Sequence, residues 1–292
     1  MTDSASTRYR ALQRRARADR RATDELLTLY ALEGFLVRLA ASRHRDTFVL
    51  KGGMLLAALD TRRPTRDIDM QALDFDNDVE AVVEAAREVL AVPVDDGLFY
   101  EADTVTADVI RDDDGYHGVR VSVASSLSTA RMKLLLDISV GDPIAPRPIE
   151  VQVSRLLDDE PVEMLGYPLP MVLAEKGVTA VERGQANTRW RDFCDLLLLS
   201  RRHEVVGDEL AAAVTAVADY REAELAALDE VLDGYGELNQ ARWSAWVRKQ
   251  QMHDRLPDDF ATVVAEVAEF IDPALFDEVR GRLWQPGAGR WH

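Results

Sequence analysis

The chain has little of several things that mark special classes of protein. It holds a single cysteine, Cys194, among its 292 residues, so a disulfide framework is excluded and a reducing compartment is expected. No apolar run reaches the roughly 18 residues of a membrane span. The first twenty residues also lack the apolar segment of a secretory signal. We therefore expect a cytoplasmic protein that does not enter a membrane.

The chain also has few lysines, and its acidic residues outnumber its basic ones. The net charge is −17, and only four of the 35 basic residues are lysines. Because Lys and Arg supply most non-specific affinity for nucleic acid by neutralising phosphates, this balance excludes a general nucleic-acid coat protein. Any nucleic acid must meet a local basic surface. The candidates are residues 8–21, which carry seven arginines, a loop with Arg62, Arg63 and Arg66, and the group Arg183, Arg189 and Arg191.

The apolar content, 47%, is ample for a core, and its spacing predicts the secondary structure. Helix periodicity appears over residues 22–42, 78–90, 171–183 and 188–200, and again in the acidic stretch after residue 203. Strand patterns appear over residues 48–50, 67–70, 118–124, 132–140 and 149–153. A turn is predicted at residues 112–115, and residues 285–292 are predicted to be a loose tail.

The stretch from residue 48 to residue 73 carries the most specific pattern. Gly52 and Gly53 follow a short strand and precede a helix, so their backbone N–H groups can approach a phosphate closely. Asp67 and Asp69 alternate along the next strand and point the same way. Like charges held that close favour a cation between them. Metal beside phosphate suggests a nucleoside triphosphate, whereas each motif alone is more often a tight strand-to-helix turn or an edge strand with solvated aspartates.

Two further features bear on this site. Asp137 interrupts the buried strand 132–140, where a charge is costly unless it is paired or bound to metal. If that strand lies beside residues 67–70, Asp137 completes a cluster of three carboxylates. Thr65, just before the first carboxylate, has a hydroxyl that can orient a metal ligand or a phosphate, although a plain loop residue needs no such role.

The helical patterns after residue 168 add buried charge. Lys176 and Arg183 are seven residues apart and share a helix face. The helix over residues 188–200 is apolar nearly all round, so its charged residues need partners. These are Arg189, Arg191, Asp192 and Asp195. An alternative is an Arg191–Asp195 pair that only stabilises its own helix.

Together, the segments at residues 50–53, 67–69, 136–143, Lys176 and 191–196 resemble the nucleotidyltransferase superfamily and, within it, the AbiEii/AbiGii toxin family, which includes the MenT-like toxins. The similarity spans residues 45–202. It implies an α+β fold with a nucleotidyltransferase-type mixed β-sheet core flanked by helices and an α-helical C-terminal region. We divide the chain into a basic arm or helix (1–21), the core (22–160) and a helical region closing the active-site cleft (161–292).

The resemblance also implies roles for individual residues. Gly52 and Gly53 match the phosphate-binding turn, Asp67 and Asp69 the ligands of Mg²⁺ (with Mn²⁺ as a substitute), and Asp137 the third metal-binding carboxylate. Lys176 matches the lysine that contacts the triphosphate, and Asp195 the acidic residue of the last motif. Further candidates for phosphate contacts are Lys51, Thr65, Arg189 and Arg191.

The activity implied by the resemblance is that of a toxin. It transfers nucleotides from an NTP to an RNA acceptor, the tRNA 3′ end, by a two-Mg mechanism, and a co-encoded AbiEi-like antitoxin neutralises it. Three alternatives remain open: a nucleotidyltransferase acting on a protein or small-molecule hydroxyl, an Asp-X-Asp glycosyltransferase, and a catalytically inactive interaction module.

Overall fold

The computed structural model describes residues 3–59, 61, 64–75, 78–111 and 117–292. Arg62 and Arg63 of the predicted basic loop, and the turn predicted at residues 112–115, lie outside the described residues. Within the described part of the chain, the structure has no helix that is both long and apolar enough to cross a membrane.

The helices and strands are numbered in chain order. The helices are α1 (Asp3–Ala18), α2 (Thr23–Ala40), α3 (Gly52–Leu55), α4 (Val79–Leu90), α5 (Leu169–Arg183), α6 (Trp190–Ser200), α7 (Gly207–Arg221), α8 (Leu228–Val231), α9 (Tyr235–Gln250) and α10 (Phe260–Leu275). The strands are β1 (Phe48–Lys51), β2 (Ile68–Ala72), β3 (Leu98–Tyr100), β4 (Thr106–Arg111), β5 (His117–Leu127), β6 (Ala130–Val140), β7 (Ile149–Val153), β8 (Val162–Gly166), β9 (Val205–Val206), β10 (Leu283–Gln285) and β11 (Arg290–Trp291).

The chain forms two compact units. The sheet unit comprises residues up to Asp142 together with Ile149–Tyr167, and the helical unit comprises Pro143–Pro148 and Pro168–His292. The sheet unit runs past the predicted boundary at residue 160, because β8 pairs in its sheet. The short alternating run of β8 was not identified as a strand from the sequence.

The sheet unit is built on a mixed sheet with the strand order β3-β5-β6-β2-β1-β8-β7, and β4 also pairs with β5. β2 runs parallel to β6 and β1 parallel to β8, while the other pairs are antiparallel. Helix α2 packs against β6 and β8, and α4 packs against β4 and β5. The predicted mixed sheet flanked by helices is therefore confirmed.

The predicted basic arm is the helix α1, and its apolar side is part of the core. Leu12 and Ala16 are buried, and α1 packs on α2 and β5. Arg8 forms an ion pair with Asp158 at 3.0 Å, and Arg15 donates to the Leu156 carbonyl at 2.6 Å. These contacts fix α1 to the loop between β7 and β8.

A buried ion pair joins α2 to the chain just before β3. Both nitrogens of the Arg38 fork contact the Asp96 carboxylate, at 2.5 and 3.1 Å, and both side chains are almost fully buried. Tyr30 donates to the Asp96 carbonyl, and the Asp96 side chain accepts from the Leu98 N–H. The Arg38 guanidinium also lies 4.9 Å from the centre of the Tyr100 ring.

The helical unit ends in ordered structure, so the prediction of a loose tail over residues 285–292 is wrong. β11 pairs with β10, and β10 pairs with β9. The Trp284 indole donates to the Ser200 carbonyl at 2.7 Å, and the Trp291 indole donates to the Phe270 carbonyl at 3.1 Å. Indole packing against Phe270 explains why this polar-looking segment folds back.

The buried pair predicts a large effect of one substitution. We expect Asp96→Ala to lower the free energy of unfolding by about 3–5 kcal/mol, because it leaves the Arg38 charge buried without its partner. The neighbouring Asp95 is exposed, so Asp95→Ala should change stability by about 0.5 kcal/mol or less. Urea denaturation of both variants measures this, and equal midpoints would show that the pair is unimportant for stability.

Candidate functional site

Strand register places five charged residues in one line across the sheet. Lys51 on β1 lies opposite Asp69 on β2, and Asp69 lies opposite Asp137 on β6. Asp137 lies opposite Arg120 on β5, which lies opposite Asp108 on β4. Directly opposed residues project from the same face of a sheet. We call these five residues the charged row, and the condition for Asp137 to join the carboxylates, that strand 132–140 lies beside 67–70, is confirmed.

Gly52 and Gly53 wrap around Asp69. Gly52 has φ +61°, and a methyl group placed on it would lie only 1.9 Å from Oδ2 of Asp69. A residue with a side chain therefore meets both backbone strain and a clash there. The Gly53 N–H donates a hydrogen bond to the Asp69 carboxylate. Whether this turn also binds a phosphate stays a prediction.

The surroundings of Asp69 make its ionised form less favourable than it is in water. Its pKa is raised to about 6, chiefly by burial, then by the nearby carboxylate of Asp67 and to a smaller extent by Asp137. The Lys51 ammonium and the Gly53 N–H act in the opposite direction. A divalent cation at this position would relieve the repulsion and hold Asp69 ionised.

Asp67 lies just before β2 and has an oriented carboxylate. The Thr65 hydroxyl donates to its Oδ1 at 2.9 Å. Hydrogen bonds of this kind fix the direction in which a carboxylate presents its free oxygen. Thr65 thus has the geometry of a residue that orients a metal ligand.

A chain of polar contacts supports Lys51 and was not foreseen from the sequence. The Lys51 ammonium lies 3.3 Å from Oδ2 of Asp142 and 5.5 Å from the centre of the Tyr167 ring. The Gln71 amide donates to the Asp142 carbonyl, and the Ser139 hydroxyl donates to Oε1 of Gln71 at 2.6 Å. Because Gln71 and Ser139 are buried, they fix Asp142 and, through it, Lys51.

Arg120 is a second residue that sequence reasoning missed. Its Nε and Nη2 contact the two oxygens of Asp137 at 2.7 and 2.5 Å. The hydrogen bond with Asp137 raises the pKa of Arg120 above its usual value, although partial burial opposes the shift. Residues 118–124 alternate between valine and polar residues, which predicts that Arg120 lies on the solvent-facing side of a strand, but only the register shows which carboxylate it contacts.

The carboxylates fit a divalent metal in part. Asp67 and Asp69 offer the hard oxygen ligands that Mg²⁺ and Mn²⁺ prefer, and burial together with the nearby Asp67 carboxylate raises the pKa of Asp69. Among the described residues, no group of three Asp, Glu, His or Cys side chains is arranged to hold a metal ion. Asp137 as the third ligand therefore stays a prediction.

The helical unit contains a separate cluster of buried charge. The Lys176 ammonium on α5 lies 2.7 Å from Asp192 and 2.9 Å from Asp195, both buried on α6. The Arg189 guanidinium reaches Asp192 at 2.5 Å, whereas Arg191 is exposed. Burial alone would raise the pKa of Asp192, but Lys176 and Arg189 outweigh it and hold the pKa below its usual value.

The sequence singled out Asp195 as the acidic site residue and gave Asp192 no role. The structure shows that both aspartates share Lys176. Their spacing of three residues puts them on one helix face. That spacing is the feature of the sequence from which a shared partner could have been predicted. Which of the two matters for activity is not decided by spacing.

Comparison with known proteins agrees with this architecture. A family model described as nucleotidyl transferase AbiEii toxin of type IV toxin–antitoxin systems matches residues 34–278. Two crystal structures from Helicobacter pylori are similar in fold, each with a TM-score of 0.50 and 14% identity. One, a proposed nucleotidyltransferase, aligns over 87% of this chain and 97% of its own. The other, JHP933, aligns over 88% and 95%.

At this identity the two structures support the fold alone, and no curated protein sequence matches the chain. The family match covers most of the chain, and membership implies an NTP substrate and an antitoxin partner. The chain therefore belongs to the AbiEii nucleotidyl transferase toxin family of type IV toxin–antitoxin systems and is a nucleotidyltransferase.

Proposed function

We propose that this toxin transfers a nucleotide from an NTP to the 3′-terminal hydroxyl of an RNA, with tRNA as the acceptor and Mg²⁺ as the metal. The observation that carries the proposal is the packing of Asp69 against the Gly52–Gly53 turn, with Asp67 beside it. The proposed metal ligands and the proposed phosphate-binding turn are therefore adjacent. In the reaction, the 3′ oxygen bonds to the α-phosphorus and releases its proton to water, while the bond from the α-phosphorus to the oxygen that bridges to the β-phosphorus breaks and pyrophosphate leaves.

The residues of the sheet unit prepare this reaction. Asp67 and Asp69 would hold the metal, with Mn²⁺ able to replace Mg²⁺, and Asp137 is the proposed third ligand. Bound divalent ions lower the pKa of an attacking hydroxyl and offset charge on the leaving group. The Thr65 hydroxyl orients Asp67, and the Gly53 N–H orients Asp69. Preorganised groups of this kind avoid reorganisation during the reaction.

Positive charge for the phosphates is proposed to come from lysines that are already fixed in direction. Lys51 lies opposite Asp69 and is held by Asp142. Lys176 is assigned to the triphosphate by the family motif, and its ammonium is held by Asp192 and Asp195. A lysine with two carboxylate partners stays charged and keeps one orientation, as a phosphate-binding group requires.

Because the chain as a whole is acidic, an RNA acceptor has to bind at a local basic surface. Helix α1 supplies a candidate. Arg10, Arg14 and Arg17 are exposed, and their spacing of four and three residues puts them on one helix face. Arg15 and Arg21 are less suited, because Arg15 donates to the Leu156 carbonyl and Arg21 pairs with Glu25. We propose that the stripe of Arg10, Arg14 and Arg17 contacts RNA phosphates.

Labelled nucleotides test the activity. Incubation of the protein with each labelled NTP, Mg²⁺ and total RNA should label RNA, and Asp69→Asn should reduce the labelling on the order of 10²-fold because an essential charge is lost. Asp103→Asn is the control, since Asp103 is exposed and outside the charged row. Equal labelling by Asp69→Asn would contradict the proposal. Label appearing on protein or on a small molecule would assign another acceptor.

The close approach at Gly52 gives a second test. Gly52 and Gly281 have similar φ, +61° and +69°, but a methyl group on Gly281 meets nothing within 4 Å. We expect Gly281→Ala to cost roughly 1–2 kcal/mol of stability through backbone strain alone. Gly52→Ala should cost more and should also abolish NTP-dependent labelling, because the methyl group displaces Asp69. Denaturation and labelling measure both effects, and identical behaviour of the two variants would exclude the clash as the cause.

The α1 stripe gives a third test. The triple variant with Arg10, Arg14 and Arg17 changed to Glu should label RNA less and bind NTP unchanged. Its RNA binding should also depend less on salt, by a slope of about 0.7 for each single-strand phosphate that is no longer neutralised. The control carries the same charge change at exposed positions of α9, with Arg242, Arg248 and Lys249 changed to Glu. Equal losses in both variants would mean that net charge, and not the stripe, is responsible.

A further inference from the structure

We infer that Arg120 is an exchangeable counter-ion of the charged row: it holds Asp137 in the metal-free protein and passes to Asp108 when a divalent ion takes Asp137. The inference rests on the proposed metal-dependent function and assigns a positioning role to a residue that the family motifs do not include. It deepens that proposal by stating what controls access to the third carboxylate.

The contact between Arg120 and Asp137 uses the whole carboxylate. One guanidinium nitrogen reaches each oxygen, at 2.7 and 2.5 Å. A fork of this kind is the strongest arrangement of an arginine and a carboxylate. A divalent ion held by the Asp137 carboxylate would meet the positive charge of Arg120, and like charges that close repel. Arg120 and the metal therefore compete for Asp137.

The Arg120 side chain is exposed enough to move, and it has a second carboxylate within reach. Its side chain is 47% exposed, against 18% for Asp137, so it can leave without opening the core. On the side away from Asp137, its opposite residue is Asp108 on the edge strand β4, which is also exposed. Opposed residues on antiparallel strands have Cβ atoms about 4.5–5.5 Å apart. Arg120 thus lies between two carboxylates and can pair with either by a change of side-chain rotamer.

The order of charges explains why such an exchange is useful. Along the charged row, Lys51 faces one side of the two adjacent carboxylates, and Arg120 faces the other. Without metal, Arg120 neutralises Asp137 and thereby reduces its repulsion with Asp69. When a metal ion neutralises Asp137, Arg120 is no longer needed there. Asp108 can then pair with the released guanidinium and hold it away from the ion.

Manganese binding in the absence of nucleotide tests the exchange. By titration calorimetry, Arg120→Gln should bind Mn²⁺ on the order of tenfold more tightly than the wild type, because the positive charge that competes for Asp137 is gone. Arg120→Lys should lie between the two, since a lysine keeps the charge but not the fork. Asp108→Asn should bind Mn²⁺ more weakly than the wild type, because Arg120 then lacks its second partner.

The matched control is Arg131→Gln. Arg131 is also on the sheet and pairs with Glu101 at 2.9 Å, but it is exposed and lies outside the charged row. Its loss should leave Mn²⁺ affinity unchanged. Thermal melting of each metal-free variant shows that it is folded before binding is measured.

The outcomes separate this inference from the proposed function. If Asp69→Asn loses Mn²⁺ while Arg120→Gln binds it as the wild type does, the exchange is wrong and the proposed metal site stands. If neither the wild type nor Arg120→Gln binds Mn²⁺, the proposed metal-dependent function fails, and the exchange fails with it. Binding by Arg120→Gln and Arg120→Lys in the predicted order, with the control unchanged, supports the exchange.

Discussion

Strand β2, paired with β1 on one side and β6 on the other, fixes the positions of Lys51, Asp69 and Asp137 in the charged row. The register of these pairs is specified on the opposite face, where Leu50, Met70 and Ile138 lie side by side and are buried. A slip of one residue would turn these apolar side chains to water and the carboxylates into the core. The core packing therefore determines the geometry of the charges, and Asp69 cannot move without disturbing the sheet.

Each unit holds one of the two proposed phosphate-binding lysines against a carboxylate. A strongly acidic protein has to receive a triphosphate, which is itself highly charged, and general attraction cannot help it. Cations fixed near the binding position can attract it instead, because the electrostatic potential of a charge is strongest close by and decays within about a Debye length of 10 Å. Lys51 and Lys176 are each held by carboxylates, so their charge is directed and not spread over the surface.

Much of the sheet unit could be predicted from the sequence, because period-two and period-3.6 patterns report burial directly. The two aspartates and the strand carrying Asp137 were identified from these patterns, and the glycine pair from its position between a strand and a helix. Arg120 and Asp142 could not be assigned, because their importance depends on register, and register depends on pairing between distant segments. β8 and the final strands were missed because short runs give too few alternations to read.

The helical unit shows a different limit. Periodicity identified α5 and α6 and showed that their charges needed partners, but it could not say which charge meets which. Asp192 and Asp195 lie on one face of α6 and both reach Lys176, so an assignment of one residue was arbitrary. Which charges meet depends on how α5 packs on α6, and the pattern of one helix alone does not give that packing.

The order of strands in the sheet has a consequence for the newly made chain. β1 obtains its parallel neighbour β8, and Asp69 obtains Asp137, from segments that follow much later in the sequence. Pairings between distant segments form slowly, because loop closure must precede the contacts that stabilise it. Until residues near Asp137 have left the ribosome, the charged row is incomplete. Until β8 is made, β1 presents an unpaired edge. A nascent toxin therefore carries Lys51 and Asp69 well before it can assemble the remainder of the row.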